Sequence, residues 1–383
     1  MSNYNKSKSI FDQLEYYLQN KYRFRFNEIS LNYEFSDIEE DKWSIANMDR
    51  LYIEIEKADV KISYDKLLIY LRGTTEKYNP LINYFKNELD EWDGYDYINQ
   101  LANKIELNSD QVFFNQQFKK FLVRTVLCAC EEKVINKNAI IFYSNKQNIG
   151  KSTFCRYLVP EALSEYFSEN ISNEKDSQIK LATNWLINLD EMQNFLSTDL
   201  EFIKALISKE MINERLPYEK KSQRITRRAS FIGSTNKTNI LKDHSNVRWL
   251  VFDINSFDFT YTDIDVNKVW SQARHYAYYE HDYNPFLSSD ELNYNDEKNK
   301  KFRAFTREEE EIIALVEESE NEKDFITITD LSIALRKVNV NKNPVTLGKL
   351  MNNIGFSYKR MGFERTKKYC VKLTGYYHSF LQS

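Results

Sequence analysis

The stretch that most constrains this chain runs from Asn138 to Leu158. A short apolar run, Ala139 to Tyr143, gives way to a polar loop, Ser144 to Ile149, that ends in Gly150-Lys151-Ser152-Thr153. An apolar pattern at helical spacing follows, carried by Phe154, Tyr157 and Leu158. Strand, loop, helix is the context a phosphate-binding loop needs. Backbone N–H groups of such a loop and of the helix N-terminus point at phosphates, and the helix dipole favours their charge. In that reading Asn145, Lys146, Gln147, Asn148, Ile149, Gly150, Lys151, Ser152 and Thr153 surround the nucleotide. Lys151 reaches the β- and γ-phosphates and the Ser152 hydroxyl sits on Mg²⁺. The position five residues before Gly150, usually glycine, is Asn145, and Asn148 also stands where glycine is common. Asparagine tolerates positive φ better than other side chains, so the loop can still turn. The plain alternative is a chance Gly-Lys-Ser in a lysine-rich chain.

A second segment narrows the choice. Leu186-Ile187-Asn188-Leu189-Asp190-Glu191 reads as a buried strand ending in two carboxylates. A parallel strand beside the loop's strand brings Asp190 to the Mg²⁺ shell and leaves Glu191 to orient or deprotonate a water. A third run, Ala229 to Asn236, again ends a strand on a polar side chain. Asn236 takes up no proton, so its expected task is to hold the water or sense the γ-phosphate. One acid after an apolar run is usually a solvated strand end, but three such ends in this order point to one site.

Composition bounds the rest. With 383 residues, 42% hydrophobic and 29% charged, the chain suits two or three globular domains. No apolar stretch reaches membrane-spanning length and the first residues lack a signal-peptide core, so a cytoplasmic location is expected. The cysteines (Cys128, Cys130, Cys155, Cys370) show no zinc spacing and read as reduced, mostly buried thiols, and the histidines (His244, His275, His281, His378) form no metal pattern either. The net charge of −4 excludes a protein basic all over, so any nucleic-acid contact must come from local patches.

In chain order, Ile10, Leu14, Tyr17 and Leu18 predict an amphipathic helix and Phe24 to Ile29 a strand. Asp93-Gly94 marks a turn, with Trp92 beside it as a packing anchor. Asp110 to Cys130 predicts a helix with a strongly apolar face. Arg215 to Arg228 reads as a basic hairpin with its turn at Glu219 to Gln223. Lys220, Lys221 and Arg224 would meet a threaded strand's phosphates if the hairpin projects into a ring's pore; otherwise it is a solvated surface. Arg248 suits an arginine finger placed on a neighbour's γ-phosphate, with a surface salt bridge as the alternative. Ser288 to Lys301 reads as a linker. Beyond it come three helices, the second capped by Thr329 or Asp330 and the third starting at Asn343-Pro344. Two strand-like stretches, Tyr358 to Phe363 and Lys367 to Leu373, follow around Glu364-Arg365. Helix, helix, hairpin is the order of a winged helix, with Lys349, Arg365 and Lys367 among its duplex-facing cations; docking to protein is the other use of such a domain.

Taken together, Lys146 to Phe154, Leu189-Asp190-Glu191, Arg227 to Asn236, Asn246-Val247-Arg248-Trp249 and the Asn79-Pro80 and Trp92-Asp93-Gly94 segments carry a resemblance. The chain resembles the virulence-associated protein E family, P-loop ATPases of phages and mobile islands that look like superfamily 3 helicases of the AAA+ group. The resemblance implies Lys151 and Ser152 on ATP and Mg²⁺, Asp190 on the metal, Glu191 as catalytic carboxylate, Asn236 as sensor and Arg248 as a finger supplied in trans. Val247 departs from the second arginine the family often has. No primase segment precedes the ATPase segment, so priming is expected on a separate protein.

The expected fold is α/β: a mainly helical region over 1–115, a P-loop AAA+-type parallel sheet over 116–290, and a winged-helix-like domain over 300–383. The expected function is that of an ATP-hydrolysing DNA helicase or replication ATPase of a mobile element, using ATP and Mg²⁺. It would work as a homo-oligomeric ring, with a single strand in the pore and duplex at the winged helix. A nucleotide-dependent DNA-binding switch that never translocates uses the same residues, and a degenerate P-loop scaffold is the non-enzymatic alternative.

Overall fold

The computed structural model describes residues 9–40, 42–169, 171, 177–192, 197–214, 222–241, 247–375 and 377. Contacts divide the chain into two compact units, 1–236 with 247–295, and 237–246 with 296–383. The protein is mixed α/β, with many helices and a sheet whose core strands run parallel.

The first unit begins with α1 (Ile10–Gln19), β1 (Tyr22–Asn27), β2 (Asn32–Asp37), β3 (Ser44–Ile45), α2 (Met48–Lys57), α3 (Tyr64–Thr74) and β4 (Glu76–Tyr78). Ser9 opens α1 with a capping box, its side chain and that of Asp12 each bonding the other's backbone N–H. Leu14 and Leu18, one turn apart, turn inward with Leu51, Ile55, Leu67 and Leu71 to form a small core. The four strands pair in the order β3-β2-β1-β4. Where a mainly helical region was expected, three helices pack with a four-stranded sheet, of which only β1 was legible.

Next come α4 (Pro80–Asn83), continued as a π-helical turn over Tyr84–Glu88, then α5 (Tyr97–Ala102), β5 (Ile105–Leu107) and α6 (Gln111–Cys130). Asp110 caps α6, accepting from Phe113 N at 3.0 Å, and Phe114, Phe118, Phe121 and Leu122 are fully buried. Trp92 anchors its turn as expected, donating to Tyr95 O at 2.6 Å and packing on His275.

The main sheet is built from β6 (Ala139–Tyr143), β7 (Phe167–Glu169), β8 (Leu186–Leu189), β11 (Ser230–Thr235) and β12 (Trp249–Phe257), with β5 on one edge. Between β6 and β12 the chain also forms α7 (Lys151–Tyr157), α8 (Ser177–Thr183) and α9 (Ser197–Ser208). A two-stranded ribbon of β9 (Ile212–Glu214) and β10 (Gln223–Ile225) lies between α9 and β11. The order across the sheet is β5-β12-β6-β11-β8-β7, parallel throughout except for β5. Residues of β6, β8 and β11 are almost all buried, as befits strands covered on both faces, and the buried set includes the polar Asn188, Ser230, Ser234 and Thr235. Helix α10 (Val266–Tyr278) packs on α6 and α5, placing Trp270 against Trp185.

Two expectations are corrected here. Ser288 to Lys301 does join the two units, which divide after Asn295, but it is helix α11 (Ser289–Asn299) followed by a 3₁₀ turn rather than irregular chain. Ser288 and Glu291 cap each other's backbone N–H at 3.2 and 2.7 Å, and Glu291 also meets Lys120 at 2.8 Å. Caps and ion pairs order a segment too polar to show a helical stripe. Arg227 and Arg228 are not part of a solvated basic surface either. Both are buried, and Arg227 bonds the carbonyls of Ile207, Lys209 and Asn136 at 2.5, 3.0 and 3.2 Å.

The second unit holds α12 (Arg307–Leu315), β13 (Val316–Glu318), β14 (Ile326–Thr327), α13 (Ile328–Arg336), α14 (Pro344–Ile354), β15 (Tyr358–Met361), β16 (Thr366–Tyr369) and β17 (Val371–Leu373). The helix-helix-hairpin order is present. The cap of α13 is Thr327 rather than Thr329 or Asp330, accepting from Asp330 N at 3.2 Å. The second strand-like stretch is divided: β16 pairs with β14 and β15, while β17 pairs with β13. Leu331, Leu335, Leu347, Met351, Tyr369 and Val371 make its core. Among the described residues no helix is long and apolar enough to cross a membrane.

Candidate functional site

Because β6, β8 and β11 run parallel, their C-terminal ends share one edge of the sheet. That edge carries the loop 144–150, Asp190-Glu191 and Asn236 together, as an open parallel sheet presents its ligand-facing loops. The topology differs in one respect from the expectation. Strand β11 lies between β6 and β8, so the acidic strand is one place removed from the loop's strand. The Asn236 segment, not the acidic one, is the loop's immediate neighbour.

The loop leaves β6 with Ser144, whose N–H donates to Thr235 O at 3.2 Å and ties it to β11. Asn145, Lys146, Gln147 and Asn148 are exposed and Ile149 half-buried. Asn148 has φ 58°, so asparagine does turn the loop where glycine is common, whereas Asn145 keeps ordinary backbone angles. Gly150 sits at φ 99° and caps α7, with the Phe259 ring so close that a Cβ there would lie 3.0 Å from it. Lys146 turns outward, its Nζ 3.0 Å from Asn255 Oδ1.

Lys151 opens α7 and is nearly buried. Its Nζ donates to Asn236 Oδ1 at 2.6 Å and to Lys146 O at 3.1 Å. Burial holds its pKa below the ordinary lysine value, with the Asp190 charge acting in the opposite direction. One helical position on, the Ser152 hydroxyl donates to Asp190 Oδ1, and Thr153 points to solvent. The same carboxylate oxygen accepts from Ser234 Oγ at 2.6 Å and from Glu191 N at 3.1 Å. Arg156, a turn further along α7, places a guanidinium nitrogen 3.8 Å from Asp190 Oδ2. Glu191 is exposed and held at φ 50°, a region that costs a non-glycine residue strain and is met most often where a site demands it.

Lys151, Ser152, Asp190, Glu191 and Asn236 therefore meet at one sheet edge. Ser234, Arg156 and Phe259 join them and were not singled out in the sequence. Strand alternation was the available signal for Ser234, since it shares a face with Asn236 two residues on. Ser152 and Asp190 place a hydroxyl and a carboxylate side by side, hard oxygen donors of the kind Mg²⁺ takes alongside substrate phosphates. Among the described residues no cluster of three or more His, Cys, Asp or Glu is positioned for a metal.

Arg248 lies elsewhere. It precedes β12 by one residue, at the N-terminal edge of the sheet, and β6 separates that edge from the loop by about 17 Å. Its Nε donates to Ser208 Oγ at 2.6 Å. It lines a cleft of about 610 Å³ with Lys133, Lys137, Asn138 and Glu210. Among the described residues the Ser208 hydroxyl is a polar partner of Arg248.

A hairpin ribbon is present here, with Glu214 of β9 paired to Gln223 of β10 and Ile212 to Ile225, so its first strand precedes the expected segment, whose residues 215–221 lie outside the described ones. Gln223 belongs to a strand rather than the turn, and Arg224 is exposed on it. Lys220 and Lys221 lie outside the described residues. In the second unit, Lys349 is exposed on α14 and Arg365 is exposed in the β15–β16 turn at φ 51°. Lys367 is half-buried, its Nζ 3.8 Å from the Tyr358 ring centroid and 3.3 Å from Asn352 Oδ1.

Two solved structures of the C-terminal region of NrS-1, both apo, share this fold. They align with TM-scores of 0.50 and 0.51 at 14% identity, spanning 95% and 96% of this chain and 100% of theirs. No curated protein matches the sequence. The virulence-associated protein E-like domain matches residues 86–304, more than half of the chain, including the whole edge that carries Lys151, Asp190 and Asn236. The chain belongs to the virulence-associated protein E-like family.

Proposed function

We propose that this protein is a Mg²⁺-dependent ATPase of a phage or mobile element that couples ATP hydrolysis to movement on DNA, as a superfamily 3-like helicase of the AAA+ group. The observation that carries the reading is the convergence of Lys151, Ser152, Asp190, Glu191 and Asn236 at the ends of three parallel strands. In this reading the phosphates of ATP take over the Lys151 ammonium from Asn236 and Lys146 O, which it bonds here. Ser152 and Asp190 hold Mg²⁺, which neutralises charge on the phosphates when bound. Glu191, exposed at the mouth, orients and deprotonates the attacking water, and Asn236 positions that water or reads the γ-phosphate.

Arg248 then serves a neighbouring subunit. Its place at the far sheet edge leaves it out of reach of its own loop, which supports a ring of identical subunits over a lone active monomer. The helix-helix-hairpin unit acts as a winged helix on duplex through Lys349, Arg365 and Lys367. The β9–β10 hairpin, through Arg224 on one arm together with Lys220 and Lys221, follows a single strand.

The test is ATP turnover with and without DNA, together with unwinding of a forked duplex. Wild-type protein should hydrolyse ATP faster with DNA and separate the fork. Lys151→Ala should do neither while keeping its fold, because the contacts it loses within the chain, to Asn236 and Lys146 O, are confined to the loop at the sheet edge. Wild-type turnover by Lys151→Ala would show the site to be misassigned. Stimulated hydrolysis without unwinding would favour the non-translocating switch.

A further inference from the structure

The turn between β15 and β16 carries the most exposed large apolar side chain among the described residues. Phe363 is 104% exposed, its ring standing clear of the described residues. Gly362 at φ 73° and Arg365 at φ 51° shape the turn, closed by Arg365 N donating to Gly362 O at 3.1 Å. The ring is therefore held at the apex rather than folded back onto the core formed by Leu347, Met351 and Tyr369.

The strands that present it are themselves unusual. From Tyr358 to Tyr369 they carry five cations, Lys359, Arg360, Arg365, Lys367 and Lys368, against one acid, Glu364. The register sets Lys359 directly opposite Lys368, and Arg360 opposite Lys367. Like charges in cross-strand positions repel, and a chain with net charge −4 has no general excess of cations to account for them. Glu322 relieves Lys359 at 3.5 Å, and Lys367 rests on the Tyr358 ring. Arg360, Arg365 and Lys368 have no ion-pair partner among the described residues.

Repelling cations along two strands and a bare aromatic ring at their tip have one common complement, a polyanion with accessible flat apolar faces. Nucleic acid is that polymer: phosphates neutralise the strands, and nucleobases stack on aromatic rings. Intact duplex hides its base faces, and the end of a duplex at a single-strand junction uncovers one. We propose that the β15–β16 hairpin binds nucleic acid at such a junction, with Phe363 stacked on the exposed base-pair face. This deepens the reading of the second unit as a DNA-contacting element and rests on it.

The experiment uses the full chain and a forked duplex with 2-aminopurine at the last base pair, read by fluorescence and by affinity across a salt series. Phe363→Ala, a change at a fully exposed position, should weaken fork binding by about 5- to 150-fold and abolish the junction's fluorescence change. The salt dependence should stay as in wild type, because no phosphate contact is lost. Phe363→Trp should restore both signals. Arg360→Ala with Lys368→Ala should instead lower the salt slope by about 0.9 per lost duplex phosphate contact and keep the fluorescence change at saturation.

Wild-type fork affinity and an unchanged fluorescence signal in Phe363→Ala would overturn the stacking, while the charge pair's altered slope would leave DNA contact standing. An unchanged slope in Arg360→Ala with Lys368→Ala would overturn the DNA contact of the hairpin itself. Loss of binding to anionic vesicles by Phe363→Ala, with fork affinity intact, would reassign the tip to a membrane surface and overturn the proposal.

Discussion

Gly233→Ala puts the sheet geometry to a quantitative test. Gly233 lies in β11 opposite Leu189 of β8 and Ile141 of β6. A Cβ built there would be 2.7 Å from Leu189 O, 2.9 Å from Leu189 Cβ and 3.1 Å from Ile141 Cδ1. The first distance is about 0.7 Å short of ordinary contact, which begins near 3.4 Å, and its partner is backbone in the middle of a buried sheet. Overpacking of a tight core costs about 1–3 kcal/mol, and straining one ladder hydrogen bond adds about 1 kcal/mol. The variant should therefore lose roughly 2–4 kcal/mol. Leu189 is followed directly by Asp190, so the same shift pulls the carboxylate away from Ser152 and Ser234. A misplacement approaching 1 Å is worth on the order of 10²-fold in rate, so ATP turnover should fall by about 10- to 100-fold. All five tryptophans lie in the first unit, so their fluorescence in a urea titration reports its stability alone. Gly73→Ala is the control: nothing lies within 4 Å of its Cβ position in α3, and it should stabilise by about 0.5–1 kcal/mol. If Gly233→Ala unfolds within about 0.5 kcal/mol of wild type and turns over at full rate, the close strand approach and its coupling to Asp190 are refuted.

Two further outcomes follow from the site. Glu191→Gln should retain Mg²⁺–ATP binding through Ser152 and Asp190 while turnover falls by ~10²–10⁴-fold; a variant that no longer binds nucleotide in a fluorescence titration would make Glu191 structural. Arg248→Ala should cost ~10³–10⁵-fold in hydrolysis. Mixing it with Lys151→Ala should restore part of the rate, since each variant supplies what the other lacks; no recovery in demonstrably mixed assemblies would sink the trans assignment.

Much of the site was legible locally. Ala139 to Tyr143 could only be a buried strand, the polar loop before Gly150 could only be a turn, and Phe154, Tyr157 and Leu158 set the helix face. Asp190 and Asn236 were visible because each ends a run that reads as a buried strand, and chain direction alone then places them at strand C-termini. The asparagine at 148 even announced its positive φ. These features follow from steric and periodic rules that act over a few residues, so the sequence states them directly.

What the sequence left open depends on pairings between distant segments. Nothing in the runs 139–143, 186–189 and 230–235 says that β11 lies between the other two, because parallel strands buried on both faces carry the same apolar pattern in any order. That order makes Ser234 the second hydroxyl on Asp190 and requires glycine at 233, where two backbones nearly touch. Arg227 and Arg228 read as surface charge until the carbonyl ends of other elements were found around them. The polar helix α11 owes its order to caps and to Lys120, 171 residues away in sequence. In each case the deciding energy is a contact between parts of the chain that no local period relates, and only the folded sheet brings those parts together.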